Sequence, residues 1–236
     1  MTEAVLFDFG GTLFDYNPTN YSILADVARE FGLTIENSDP LLSRAFQLQE
    51  EYIHSLMIER NEFSMDWMTS HDWRRCDEIL LKTLNIKSQL ALEMLVKKFQ
   101  ARGMFHYKIF PDTYSTLKSL KDSGIKLGVV SNLPAKYVPD RYKMLKQYNL
   151  VQFFSSIVLS GERGVSKPNP EIFLIALKEL GVSLPDQVYH IGDSYIFDVI
   201  GAKNSSIIPI LFDPNKGRNC DCRSIRSLSE IIEIIK

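Results

Sequence analysis

Apolar positions fall into short runs that stop at glycine or polar residues, separated by stretches in which they recur with helical spacing. The run "EAVLFDF", Glu3 to Phe9, leads into Gly10 and Gly11 and predicts a buried parallel strand ending at a functional loop. From Tyr16 to about Met104 the spacing is helical almost throughout, as in "YSILADVAREFGL" and "SQLALEMLVKKFQARG", with Gly103 as a stop. Beyond Phe105 the texture alternates. Pro111 and Asp112 open a helix through "TYSTLKSLKDSG", "IKLGVVSN" is a strand, and a helix follows around Tyr137 to Tyr148. Then come a short strand "SIVLS" and a helix "NPEIFLIALKELG" closed by Gly181. A strand "QVYHIGD", a short helix "YIFDVIGAKN", a strand "IIPILF" and a closing helix "SLSEIIEIIK" complete the pattern.

Strands alternating with helices predict an α/β fold, a doubly wound parallel sheet covered on both faces. One strand precedes the helical stretch and the others follow it. The expected organisation is a core of residues 1–15 and 105–236 interrupted by an all-helical insertion, 16–104, with joints near Asp15–Pro18 and Arg102–Lys108. No low-complexity tract or long linker separates the two, so the insertion should pack as a lid.

Composition narrows the function classes. With 27 Lys+Arg against 29 Asp+Glu in 236 residues, a net charge of −2 supplies no field for gathering polyanions, and nucleic acid is not the expected partner. Three cysteines, Cys76, Cys220 and Cys222, are too few for a secreted disulfide framework, and Cys220 with Cys222 is expected in a surface loop. Charges interrupt every apolar run well before a membrane span, and no signal-peptide pattern opens the chain. The expectation is a soluble, cytoplasmic protein without a membrane partner.

In open parallel sheets ligands bind outside the carboxyl ends of the strands, so the residues ending each expected strand are the candidates for a site. They are Asp8 with the turn to Thr12, then Ser131 and Asn132, then Asp193 with Asp198 close behind; the loop before "NPEIF" adds Lys167, fixed by Pro168 and Pro170 that follow it. Asp8, Asp193 and Asp198 form the oxygen-rich set that hard Mg²⁺ prefers. Lys167 and Ser131 add a cation and a hydroxyl, and Gly10 and Gly11 allow close backbone approach. This mixture suits a phosphoryl group: charge neutralisation, orienting donors, and a carboxylate for in-line attack.

The segments "DFGGTL", "VVSN", "SKPNP" and "IGDSYIFDVIGA", in this order from Asp8 to Ala202, resemble the four motifs of the haloacid dehalogenase-like superfamily, and the insertion resembles its helical cap. The resemblance implies a Rossmann-like core and an Mg²⁺-dependent phosphatase acting on a small phosphorylated metabolite. It implies Asp8 as a nucleophile that becomes an aspartyl-phosphate and also ligates the metal, and Asp193 and Asp198 as the acidic metal pair. Gly11, Thr12, Ser131, Asn132 and Lys167 match the phosphate-binding and supporting positions.

Gly10 departs from the pattern. Most phosphatases of the superfamily carry there a second Asp, whose carbonyl binds the metal and whose carboxyl is the acid and base. A glycine keeps the carbonyl, so Gly10 remains a metal-site position, but it lacks a proton donor worth about 10²- to 10⁴-fold in rate. Alternative readings are a 2-haloacid dehalogenase, whose halide needs no proton, and a non-catalytic homologue that binds a phosphorylated metabolite or a protein. A phosphonoacetaldehyde hydrolase is disfavoured, since no lysine precedes Lys82. Asp15 and Tyr16, near the first joint, are candidates to replace the acid, although joint residues more often cap and pack. His54, His71 and His106 are weaker candidate donors, and His190 is expected to pack within the sheet. Phe63, Met65, Trp67, Met68 and Trp73 read as helix packing, and Arg74 and Arg75 as surface residues.

Overall fold

The computed structural model describes residues 2–63, 66–102, 107–214 and 220–235. The chain opens with β1 (Ala4–Phe7) and β2 (Phe14–Tyr16), followed by four helices, α1 (Asn20–Glu30), α2 (Pro40–Arg60), α3 (Ser70–Thr83) and α4 (Gln89–Arg102). Then come β3 (Tyr107–Ile109), α5 (Thr113–Asp122), β4 (Lys126–Ser131), α6 (Val138–Gln147), β5 (Ser156–Leu159), α7 (Ser160–Arg163) and α8 (Pro170–Leu180). The last part holds β6 (Val188–Gly192), a π-helical turn (Tyr195–Ile200), α9 (Gly201–Asn204), β7 (Ile208–Phe212), β8 (Arg223–Ile225) and α10 (Ile231–Ile234).

Six strands form one parallel sheet in the order β5-β4-β1-β6-β7-β8, with Phe7 of β1 facing Val129 of β4 and Ile191 of β6. Strand alternation sends Val5 and Phe7 into an apolar cluster with Leu117 and Leu120 of α5 and Leu145 of α6. Ala4 and Leu6 point the other way, into a cluster with Ile172, Phe173 and Leu177 of α8. Both faces are therefore covered, which is why the strands read as continuous apolar runs rather than as alternating ones. The α/β doubly wound architecture expected from the pattern is present.

Local chemistry sets the helix ends. Asn169 accepts the Glu171 N–H at 2.9 Å as an N-cap, Pro170 starts α8, and Gly181 ends it in the left-handed region at φ 61°. Between β2 and β3, Ile23, Leu24, Leu42, Phe46, Leu80, Leu92 and Leu95 make a cluster of their own. A second cluster of Ile53, Met57, Met68 and Cys76 is joined by Trp67, Phe63 and Phe197 of the π-helical turn. The apolar stripe of this block is thus packing, as expected, except for the exposed Trp73. Met65, Gly103, Met104, Phe105 and His106 lie outside the described residues. Among the described residues, no helix is long and apolar enough to cross a membrane.

Five features differ from the sequence expectation. β2 and β3 pair antiparallel, Tyr16 against Tyr107, at the two places where the chain enters and leaves the helical block. β8, also three residues long, extends the sheet edge; such strands are too short to show a period. "YIFDVIGAKN" divides into a π-helical turn and α9, and the closing helix shortens to α10. Asp112 caps nothing with its side chain, which accepts the Ser229 N–H at 2.9 Å instead. Cys220 and Cys222, with Cα atoms 5.1 Å apart, are joined by a disulfide.

Candidate active site

β1 leaves the sheet at Asp8, whose N–H still donates to the Ile191 carbonyl at 2.8 Å, so the carboxylate is held at the carboxyl edge of the sheet. This is also where the winding reverses, since the chain proceeds from β1 towards β4 and β5 but from β6 towards β7 and β8. β6 delivers Asp193 beside it. Ser194 then caps the π-helical turn, accepting the Phe197 N–H at 3.0 Å, while its own N–H donates to Asp198 Oδ2 at 3.0 Å. That reciprocal turn folds Asp198 back over the strand end.

Two glycines make the room. Gly11 lies at φ 82°, and a Cβ there would fall on the Asp193 carboxylate. A Cβ on Gly192 would fall on the Asp198 carboxyl group. Gly10 differs from both: its φ is not positive, and the nearest obstacle to a side chain is the Tyr16 hydroxyl.

Lys167 is placed through its backbone. The Asn132 amide accepts the Lys167 N–H at 2.8 Å and donates to the Lys167 carbonyl at 2.9 Å. The fully buried ammonium bridges Asp8 Oδ1 at 2.5 Å and Asp198 Oδ1 at 2.6 Å. His190 Nε2 lies 2.8 Å from the same Asp198 oxygen. Because a carboxylate only accepts, the proton is on Nε2. Asp198 thereby accepts from Lys167, His190 and Ser194.

Burial dominates the electrostatics. It pushes the Asp8 carboxyl up, against the pull of Lys167, and the Asp198 charge adds to the rise. Burial also opposes the Asp198 charge, but Lys167 and His190 overcome it and hold that carboxyl below the usual carboxylate range. Burial works to strip the Lys167 proton, yet Asp198 and Asp8 keep it above its ordinary value. Burial lowers His190. One ammonium thus faces two carboxylates, and Asp193 brings a third.

Ligand oxygens of Asp8, Asp193 and Asp198 all lie within 4.8 Å of one another. This all-oxygen set, with more carboxylate charge than Lys167 can offset, fits a hard divalent cation such as Mg²⁺. Gly10, two residues after Asp8, sits in the same loop. Thr12 is buried there, and its hydroxyl has no hydrogen-bond partner among the described residues. Ser131 is buried at the end of β4, next to β1 in the sheet.

The structure therefore gathers Asp8, Gly10, Gly11, Thr12, Ser131, Asn132, Lys167, Asp193 and Asp198 at one edge. His54 is half-buried in α2, His71 is exposed, and Arg74 and Arg75 are exposed beside Glu78. Sequence reading missed His190 and Ser194 as neighbours of Asp198, and Glu50, whose carboxylate accepts the Ser194 hydroxyl at 2.8 Å from α2. For His190 a signal existed: it precedes Gly192 by two on one strand, hence on the same face as the Asp198 carboxyl.

A family profile described as haloacid dehalogenase-like hydrolase matches residues 5–211, from β1 into β7. The chain belongs to the haloacid dehalogenase-like hydrolase family. Within it, the chain is similar to a glyceraldehyde 3-phosphate phosphatase of Methanocaldococcus jannaschii, 31% identical over 242 residues covering 100% of this chain and 98% of the relative. A protein of the same name from Methanopyrus kandleri is 29% identical over 226 residues, covering 95% and 89%. The solved structure of a HAD phosphatase from Thermococcus onnurineus superposes with a TM-score of 0.58 at 28% identity, covering 99% and 97%. The motif resemblance is thus family membership, and the protein is a hydrolase.

Proposed function

We propose that this hydrolase is an Mg²⁺-dependent phosphatase of small phosphorylated metabolites that works through an aspartyl-phosphate at Asp8. The observation carrying this reading is the Lys167 ammonium set between Asp8 and Asp198, with Asp193 completing a three-carboxylate cluster at the switch point of the sheet. Asp8 is the only one of the three on the β1 loop, beside the buried Thr12 hydroxyl and the end of β4, and so is the group to attack phosphorus. Lys167 would turn from the Asp8 carboxylate to the phosphoryl oxygens as charge develops there. Thr12 and Ser131 would orient those oxygens. Asp8, Asp193, Asp198 and the Gly10 carbonyl would hold Mg²⁺, which when bound neutralises phosphoryl charge.

Residues 16–104 would act as a cap over the strand ends. Glu50 on Ser194, and Asp66 accepting the Ala135 N–H at 3.1 Å, tie that block to two loops of the site. A closed cap excludes water and selects small substrates. The names of the relatives make glyceraldehyde 3-phosphate the first substrate to test. Phosphate release from that compound, phosphoglycolate and p-nitrophenyl phosphate should require Mg²⁺ and vanish in Asp8→Asn. Halide release from 2-chloropropionate, with no phosphate release from any of the three, would overturn the reading.

A further inference from the structure

Cleaving an alkyl phosphate leaves an alkoxide that must gain a proton, and the groups around Asp8 are already committed. The Lys167 ammonium is held between two carboxylates at 2.5 and 2.6 Å. Asp198 accepts from three donors, Asp8 is the attacking group, and Asp193 belongs to the cation set. Gly10 has no side chain.

The Tyr16 phenol stands over Gly10. A Cβ added there would lie 3.2 Å from the phenolic oxygen and 3.7 Å from the ring carbon that bears it. The Gly10 φ is not positive, so what stands closest to a side chain there is a hydroxyl carried by another residue. The loop puts it there: Gly10 bridges to Phe14, the Gly11 N–H donates to the Phe14 carbonyl at 2.6 Å, and Tyr16 returns beside the turn on β2. Pairing with β3 sets the Tyr16 ring 4.8 Å from that of Tyr107, and Asp15 Oδ1 accepts the Tyr16 N–H at 2.8 Å. The phenol is therefore positioned by the β2–β3 pairing and by ring contact with Tyr107.

Resting on the phosphatase reading above, we propose that Tyr16 is the proton donor to the leaving oxygen, which makes monoesters of ordinary alcohols the substrate class. In the first step an Asp8 oxygen bonds to phosphorus, the bond from phosphorus to the ester oxygen breaks, and the phenol proton passes to that oxygen, leaving the free alcohol and a phenolate. In the second step water attacks phosphorus, its proton passes to the phenolate, and the bond from phosphorus to Asp8 breaks. Inorganic phosphate leaves, and the Asp8 carboxylate and the phenol are restored. A phenol keeps its proton at neutral pH yet is a stronger acid than an alcohol, so it suits both directions.

The test is kcat/KM, which reports the first step, for Tyr16→Phe on two substrates. With glyceraldehyde 3-phosphate the loss should be about 10²- to 10⁴-fold. With p-nitrophenyl phosphate, whose leaving group needs no proton, it should stay within about tenfold. In the double variant Gly10→Asp with Tyr16→Phe, the 3.2 Å obstacle is gone and a carboxyl group enters the same space; turnover of the alkyl ester should recover by at least about tenfold over Tyr16→Phe. Equal losses on both substrates, or no loss on either, in a variant that melts like the wild type, would overturn the proton-donor role while leaving the phosphatase standing. Absence of wild-type turnover on both substrates would overturn both.

Discussion

Asp193 can stand beside the β1 loop because Gly11 has no Cβ, and Asp198 can fold over β6 because Gly192 has none. Alanine at position 11 meets two penalties, a left-handed backbone at φ 82° and a collision with the Asp193 carboxylate. Gly11→Ala should therefore lower kcat/KM for p-nitrophenyl phosphate by about 10²-fold, the effect of displacing a reacting group by roughly an ångström. It should also raise the Mg²⁺ concentration needed for half-maximal rate; unchanged values of both would mean Asp193 is not where the site needs it. Asp8, Lys167 and Asp193 were legible in the sequence because each ends an apolar run or directly precedes a proline. Tyr16 over Gly10 was legible only as a neighbour in the chain, because its aim comes from pairing with Tyr107, far away in sequence.

At the scale of elements, α2 and α3 are clamped by one buried carboxylate. Asp72 accepts from the Arg60 guanidinium at 3.0 and 2.8 Å, and from the Thr69 N–H at 2.8 Å in a capping box. The Arg60 hydrogen bonds, followed by that of the Thr69 backbone, hold the Asp72 carboxyl well below the usual carboxylate range. A depressed folded value means that its stability is present above the unfolded carboxylate value of about 3.9 and is lost as pH falls through the folded one. Since the Arg60 side chain is 38% exposed, solvent screens the pair and the clamp is a modest one. Asp72→Asn should lower the melting temperature at neutral pH by a few degrees, and the gap to wild type should narrow on acidification. A gap that is the same at neutral and acid pH would contradict the charge-based clamp.

The longer elements here could be read from the pattern: β1, β4, β6, β7 and α8 each carry several apolar residues of one period or a capped end. The three-residue strands β2, β3 and β8 carry no period, and their pairing depends on residues that only the fold brings together. The π-helical turn after Asp193 has the pattern of a plain helix because its apolar content is the same. What departs is the hydrogen bonding around Ser194 and Asp198.

Over the whole molecule, β1 in the middle of the sheet, flanked by β4 and β6, gathers residues from three distant segments at one edge. The α/β class follows from alternation, whereas the strand order requires crossovers that no local pattern encodes. The same order explains why the motifs keep their sequence order yet meet in space: each lies at the carboxyl end of a neighbouring strand or in the loop above it. The central claim is that this edge transfers a phosphoryl group to Asp8. The most direct measurement is an acid quench of wild type and Asp8→Asn during turnover with Mg²⁺, followed by mass spectrometry of the peptide containing residue 8. The account predicts a phosphoryl group on that peptide in the wild type and none in the variant; wild-type turnover without the adduct, or the same adduct in Asp8→Asn, would contradict it.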